Sequence, residues 1–209
     1  ILEPLGLPFA RHAVATDTLE AIEKATEIGF PVALKIVSPD IAHKTEMASI
    51  RLGLTDREAV ADAYDDLMET VTAKMPDARI DGVLVQEMIA GGVEMILGMV
   101  LDPQFGPLIM VGAGGTLTEL IEDRAIAFAP LSHATASAMI DELRVAKLLN
   151  GWRGGVRLDR CALANALVAL SDLAARTDGQ IAAIDLNPVM VLPEGHGVRI
   201  VDALIVPNN

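Results

Sequence analysis

The apolar positions of this chain repeat with two different periods, and the switches between them mark out its elements. Leu19, Ile22, Ala25 and Ile28 recur at helical spacing between Asp17, a capping residue, and Gly29 followed by Pro31, so a helix is predicted there. Asp56 caps a second helix over about 57–75, with Val60, Ala63, Tyr64, Leu67 and Val71 along one face. Short apolar runs predict strands at 32–37, 50–54 and 83–88, and an edge strand at 9–15. Ala90, Gly91 and Gly92 break the pattern and predict a boundary between two lobes, 1–89 and 90–209. Beyond it, strands are expected at 93–101, 108–111, 125–129, 181–186, 189–192 and 198–203. Helices are expected at 132–149 and 159–176, and residues 193–197 read as a hairpin turn. Hairpins mixed with helices predict two α+β lobes with mixed or antiparallel sheets, not a doubly wound parallel sheet.

Composition narrows the picture. Aromatic residues make up 3% of the chain and hydrophobic residues 52%, so the core is built from aliphatic side chains, as suits buried strands. A net charge of −13 argues against a nucleic-acid partner. No apolar run approaches the roughly 18 residues of a membrane span, so no membrane role is expected. The opening residues lack the basic start and apolar core of a signal peptide, and the chain does not begin with Met; a piece of a longer protein is expected. The single cysteine, Cys161, excludes an intramolecular disulfide and fits a cytoplasmic home.

In so acidic a chain, local cations are informative. Lys35 lies inside an apolar run, and either of two placements fits that spacing. Either its stem lies on an apolar wall with the ammonium on a phosphate, or it faces solvent from an edge strand. His43 and Lys44 follow in a loop with Pro39 and Asp40. A neutral imidazole there can accept a phosphoryl group, though a lone loop histidine is more often simply solvated. Gln86, Glu87 and Met88 end a strand just before the Gly91–Gly92 break, with Glu94 just after it. Asn187 and Asp202 flank the hairpin of the closing strands, which can bring two oxygens to one Mg²⁺; the alternative is an Asx turn and a strand-end acid. The glycines at 112, 114 and 115 either approach an anion or make a tight turn. Trp152 and Arg153 sit in a loop that either faces a partner or forms a lid.

Five segments together resemble one family: FPVALKIVSPDIAHKT at 30–45, GVLVQEM at 82–88, DPQFGP at 102–107, KLLNGWRG at 147–154 and IDLNP at 184–188. In this order they resemble the ATP-grasp domain of ADP-forming acyl-CoA (acetyl-CoA) synthetases, relatives of the succinyl-CoA synthetase β-subunit. The resemblance spans nearly the whole chain and implies two α+β lobes clamping a nucleotide. It implies ATP/ADP and Mg²⁺ as cofactors, with Lys35 and Lys44 on the phosphates, Glu87 and Glu94 at the adenosine side and Asn187 and Asp202 on the metal. It also implies that His43 carries the phosphoryl group transiently, and that CoA-binding and acyl-binding domains or a subunit of the same enzyme complete the reaction. One departure stands out. The family places a Gly-Gly pair after His-Lys, where this chain has Met47, Ala48 and Ser49. That departure keeps open a second reading, a non-catalytic nucleotide-binding module of an acyltransferase fusion. A carboxylate ligase forming amides is a third, against which the His43 loop speaks.

Overall fold

The computed structural model describes residues 6–41, 49–115 and 122–208. The chain divides into two units, Ala10–Ile89 and Ala90–Asn209, the latter joined by the opening residues to Phe9. The first unit holds a four-stranded antiparallel sheet of β1 (His12–Ala15), β2 (Val32–Val37), β3 (Ile50–Leu54) and β4 (Gly82–Glu87), in the order β1-β4-β2-β3. Two helices, α1 (Thr18–Ile28) and α2 (Arg57–Lys74), cover one face of it. Asp17 accepts the Glu20 N–H at 2.8 Å and Asp56 the Ala59 N–H at 2.9 Å, so each carboxylate satisfies a donor that has no carbonyl partner in its helix. Alternation along the strands then sorts the side chains. Val32, Leu34, Ile36, Val83 and Val85 pack against the helices, which leaves Lys35 and Gln86 for the other face.

The second unit holds a larger antiparallel sheet, of β5 (Val93–Asp102), β6 (Gly106–Ala113), β7 (Arg124–Phe128), β8 (Ile181–Val191), β9 (Val198–Ile200) and β10 (Ala203–Pro207). Its order is β10-β8-β5-β6-β7, with β9 also paired to β8. Three helices, α3 (His133–Glu142), α4 (Ala146–Leu149) and α5 (Arg160–Arg176), pack over Met95, Leu97, Met99, Ile109 and Val111. Leu7 is buried in this same core and Phe9 bridges to Ile200. The opening residues described therefore pack with this unit, whereas the sequence pattern assigned them to the first lobe.

Three stretches depart from the pattern. The single helix expected at 132–149 is broken between Glu142 and Ala146, where the Arg144 and Val145 N–H groups donate to the Asp123 carboxylate, each at 2.8 Å. A side chain from outside the helix takes donors that would otherwise continue the ladder. The two strands expected on either side of Asn187 and Pro188 are one, β8, whose register with β5 shifts between Met95 and Leu97. That irregularity absorbs the proline, which has no N–H to give. The strand expected at 198–203 is two, β9 and β10, so Asp202 lies in the break between them.

Gly92 illustrates how close backbone approach selects glycine. Its φ is +84°, and a Cβ there would sit 2.4 Å from the Val191 carbonyl oxygen. Gly92→Ala is expected to cost about 2–4 kcal/mol, from left-handed strain and the clash together. Urea unfolding read by circular dichroism would show this as a lower midpoint.

Asp159 ties α5 to the hairpin between β8 and β9. One carboxylate oxygen caps the helix through the Ala162 N–H at 3.0 Å; the other accepts from Gly195 at 3.0 Å and Gly197 at 2.9 Å. Burial opposes its ionisation, but the backbone donors of Ala162, Gly197 and Gly195, helped by His196, hold the carboxyl below its usual range. A lowered folded value means stability that is present above about pH 4 and lost as pH falls through the folded value. Asp159→Ala is expected to cost about 1–3 kcal/mol at neutral pH. The gap to wild type should narrow as the urea midpoints are followed into acid; a gap independent of pH would contradict this account.

Candidate functional site

Lys35 sits in the middle of β2, between Leu84 on β4 and Ile50 on β3, so it is not on an edge strand. It is 7% exposed, which removes the solvent-facing alternative. Gln86, on β4 opposite Ala33, is 3% exposed and lies on the same face of the sheet, the face without helices. A buried ammonium and a buried amide on that face form a polar lining which a hydrophobic core would not need. Gln86 was not among the site residues expected from sequence, although its parity with Leu84 marks it as sharing the face of Lys35.

Glu87 ends β4, with its carboxylate ion-paired to the Arg11 guanidinium. Its backbone N–H donates to Arg11 and that of Met88 to Pro31, so this strand end is fastened on both sides. His43 and Lys44 lie outside the described residues, as do Met47 and Ala48. Ser49 is fully buried, and its carbonyl accepts the Ile36 N–H at 3.1 Å. That bond is a backbone one, so it ties position 49 to the end of the β2–β3 ladder without depending on the side chain.

The second unit gathers acids on the helix-free face of its sheet. Asp185 and Asn187 are two residues apart on β8, both exposed, while Ile184 and Leu186 between and before them are buried in the core. Asn187 donates its backbone N–H to the Asp202 carbonyl at 3.1 Å, which places the β9–β10 break beside this face. Partial desolvation, and then the nearby Asp202 carboxylate, push the Asp185 carboxyl above its usual range. Two neighbouring carboxylates beside an amide oxygen are an all-oxygen donor set. Such a set suits a hard divalent cation that shares its remaining positions with phosphate and water. Among the described residues no group of three or more His, Cys, Asp or Glu side chains is arranged to hold a metal by itself. The sequence pattern marks the stretch Asp185–Pro188 as a metal candidate but assigns only Asn187 and Asp202 to the ion. Read as one continuous strand, the stretch puts Asp185 on the face of Asn187.

Glu94, exposed on β5, accepts the Gly114 N–H on its carbonyl at 2.8 Å. A Cβ on Gly114 would meet that carbonyl group at 2.8–2.9 Å, and one on Gly115 would meet the Glu94 carboxylate at 3.1 Å. These glycines therefore allow two backbones to meet and seat Glu94. Next to them, Ile96, Met110, Gly112, Asp123 and Arg124 line a cavity of about 240 Å³. No helix among the described residues is long and apolar enough to cross a membrane.

Residues 1–206 match the ATP-grasp domain family. An ADP-forming acetate–CoA ligase of Archaeoglobus fulgidus is 38% identical over 95% of the chain, of which the chain spans 29% of the length. The β-subunit of an ADP-forming acetate–CoA ligase II of Pyrococcus furiosus is 36% identical over 99% of the chain and 87% of the subunit. A solved acetyl-coenzyme A synthetase 1 of Candidatus Korarchaeum cryptofilum, in complex with coenzyme A and Ca-AMPCP, is 40% identical with a TM-score of 0.92, covering 99% of this chain and 89% of that one. The same enzyme with coenzyme A and Mg-AMPPCP, its phosphohistidine segment pointing towards the nucleotide site, superposes with a TM-score of 0.86 at 37% identity, covering 99% of this chain and 88% of that one. The chain belongs to the ATP-grasp family, within the group that includes the β-subunits of ADP-forming acetate–CoA ligases.

Proposed function

We propose that this chain is the nucleotide-binding part of an ADP-forming acyl-CoA synthetase, moving a phosphoryl group between ATP and an acyl phosphate and CoA thioester system. The observation that carries the reading is Lys35, a cation buried mid-strand on the helix-free face beside buried Gln86. Its ammonium meets the nucleotide phosphates with the help of Lys44, and the low local dielectric strengthens that contact. Glu87 serves the adenosine side on the first unit and Glu94 on the second. Asn187 and Asp202, with Asp185 beside them, hold Mg²⁺. Bound there, the cation supplies charge neutralisation for the phosphates.

The His43 imidazole attacks the γ-phosphorus: an N–P bond forms, the bond to the bridging oxygen breaks, and ADP leaves with that electron pair. The phosphoryl group is then handed on. CoA-binding and acyl-binding domains or a subunit of the same enzyme carry the later steps, in the cytoplasm. Lobes 1–89 and 90–209 are the two halves of the domain, with the opening residues packed on the second.

The test is radiolabel transfer from γ-labelled ATP in the assembled enzyme. An acid-labile, base-stable phosphoprotein is expected with wild type and no label on this chain with His43→Ala. Full phosphoryl transfer by His43→Ala would overturn the relay. Nucleotide binding without any phosphohistidine would favour the second reading, a regulatory or assembly module, which the replacement at Ala48 and Ser49 keeps in view.

A further inference from the structure

Between residues 143 and 158 the chain carries four cations, Arg144, Lys147, Arg153 and Arg157, and no acid, although its net charge is −13. The stretch is an ordered platform. The Leu158 N–H pairs with the Leu149 carbonyl at 2.9 Å and the Gly155 N–H with the Trp152 carbonyl at 3.0 Å, which closes the loop on itself. At its tip Arg153 adopts a left-handed conformation, with φ +53°, inside a short 3₁₀ turn (Trp152–Gly154). Trp152, the only tryptophan, is 52% exposed. Lys147 Nζ lies 5.7 Å and Arg153 Cζ 5.8 Å from its ring centroid. Leu148 and Val156 are exposed nearby. Among the described residues Arg144, Lys147 and Arg153 form no ion pair, whereas Arg157 reaches Glu194 only at 3.9 Å.

Beside the loop, Asn150, Arg157, Arg160 and Glu194 line a cavity of about 410 Å³. The Arg160 guanidinium is already engaged there, donating to the Asp141 carboxylate and to the Asn150 side-chain oxygen. An exposed indole with two cations near its ring, on a loop closed by backbone hydrogen bonds, has the composition of an interface hot spot.

We propose that this loop is the docking surface for an acidic segment of the domain or subunit that carries the CoA and acyl chemistry. The proposal rests on the function proposed above. An acidic surface approaching a chain of net charge −13 is repelled except where the local charge is reversed. Such a patch therefore selects the orientation of docking as well as its strength.

The test measures the affinity of this chain for the CoA-binding part encoded with it, by sedimentation and by Trp152 fluorescence, alongside calorimetry with ATP. Lys147→Glu and Arg153→Glu, each made singly, are expected to weaken docking about 10- to 100-fold and to leave the ATP affinity unchanged. Wild-type docking should weaken with added salt, and that of the variants less so. Docking by both variants equal to wild type would overturn the proposal, as would a parallel loss of ATP affinity, which would put the loop at the nucleotide. Absence of wild-type docking overturns it too, while absence of ATP binding by the wild-type chain overturns instead the function on which it rests. Trp152 quenching by a single-stranded oligonucleotide, without docking of the CoA-binding part, would reassign the patch to nucleic acid and overturn the proposal.

Discussion

Lys35→Met is expected to lower the affinity of this chain for ATP and ADP about 10- to 100-fold, a charge-assisted hydrogen bond to phosphate contributing about 1.5–3 kcal/mol. Methionine keeps the long stem against the apolar wall and removes only the ammonium, so the loss is one of charge. The position makes the experiment clean. Lys35 lies between two paired strands, and its neighbours Leu34 and Ile36 anchor β2 in the core. The variant should therefore unfold cooperatively near the wild-type temperature. Titration calorimetry with each nucleotide is the measurement. A folded Lys35→Met chain that binds ATP as wild type does would remove Lys35 from the site, and its burial would then need another cause.

Replacing both Asn187 and Asp202 with alanine is expected to abolish the dependence of nucleotide affinity on Mg²⁺, leaving the weaker metal-free binding in place. The reasoning is one of donor chemistry. Mg²⁺ usually takes one or two protein oxygens and fills the rest of its octahedron with phosphate and water, so two substitutions remove most of what the protein supplies. The backbone bond from the Asn187 N–H to the Asp202 carbonyl survives both changes, because neither group belongs to a side chain. Calorimetry with and without Mg²⁺ reads the effect directly. If the double variant kept the full Mg²⁺ increment, Asp185 alone would be the metal residue to examine. Its carboxyl is pushed upward by partial desolvation and by Asp202, so Asp202→Ala should also make Asp185 easier to ionise.

Much of the fold was legible beforehand, for reasons tied to particular residues. The helix over Arg57–Lys74 and its buried face of Val60, Ala63, Tyr64, Leu67 and Val71 followed from periodicity and a capping aspartate, both local signals. Strands β2 and β3 matched their apolar runs to the residue. What failed was non-local. Nothing near Arg144 announces that Asp123, distant in sequence, takes its N–H and that of Val145 and interrupts a helix. Nothing near Asn187 announces that a register shift against β5 carries one strand through Pro188.

The candidate site divides in the same way. The sequence by itself determined which residue types were available: one lysine in an apolar run, a His-Lys loop, an Asn-Pro pair and a late Asp, in an order that resembled one family. Tertiary structure alone decided which of two equal placements Lys35 takes, because burial depends on which strands flank β2. It alone put Asp185 on the face of Asn187, seated Glu94 against the glycines at 114 and 115, and engaged Glu87 with Arg11. Periodicity and capping act within a few residues along the chain and can be read from it. Strand order, register and the close approach of two backbones are set between segments far apart in sequence, and these decide where a charged side chain ends up.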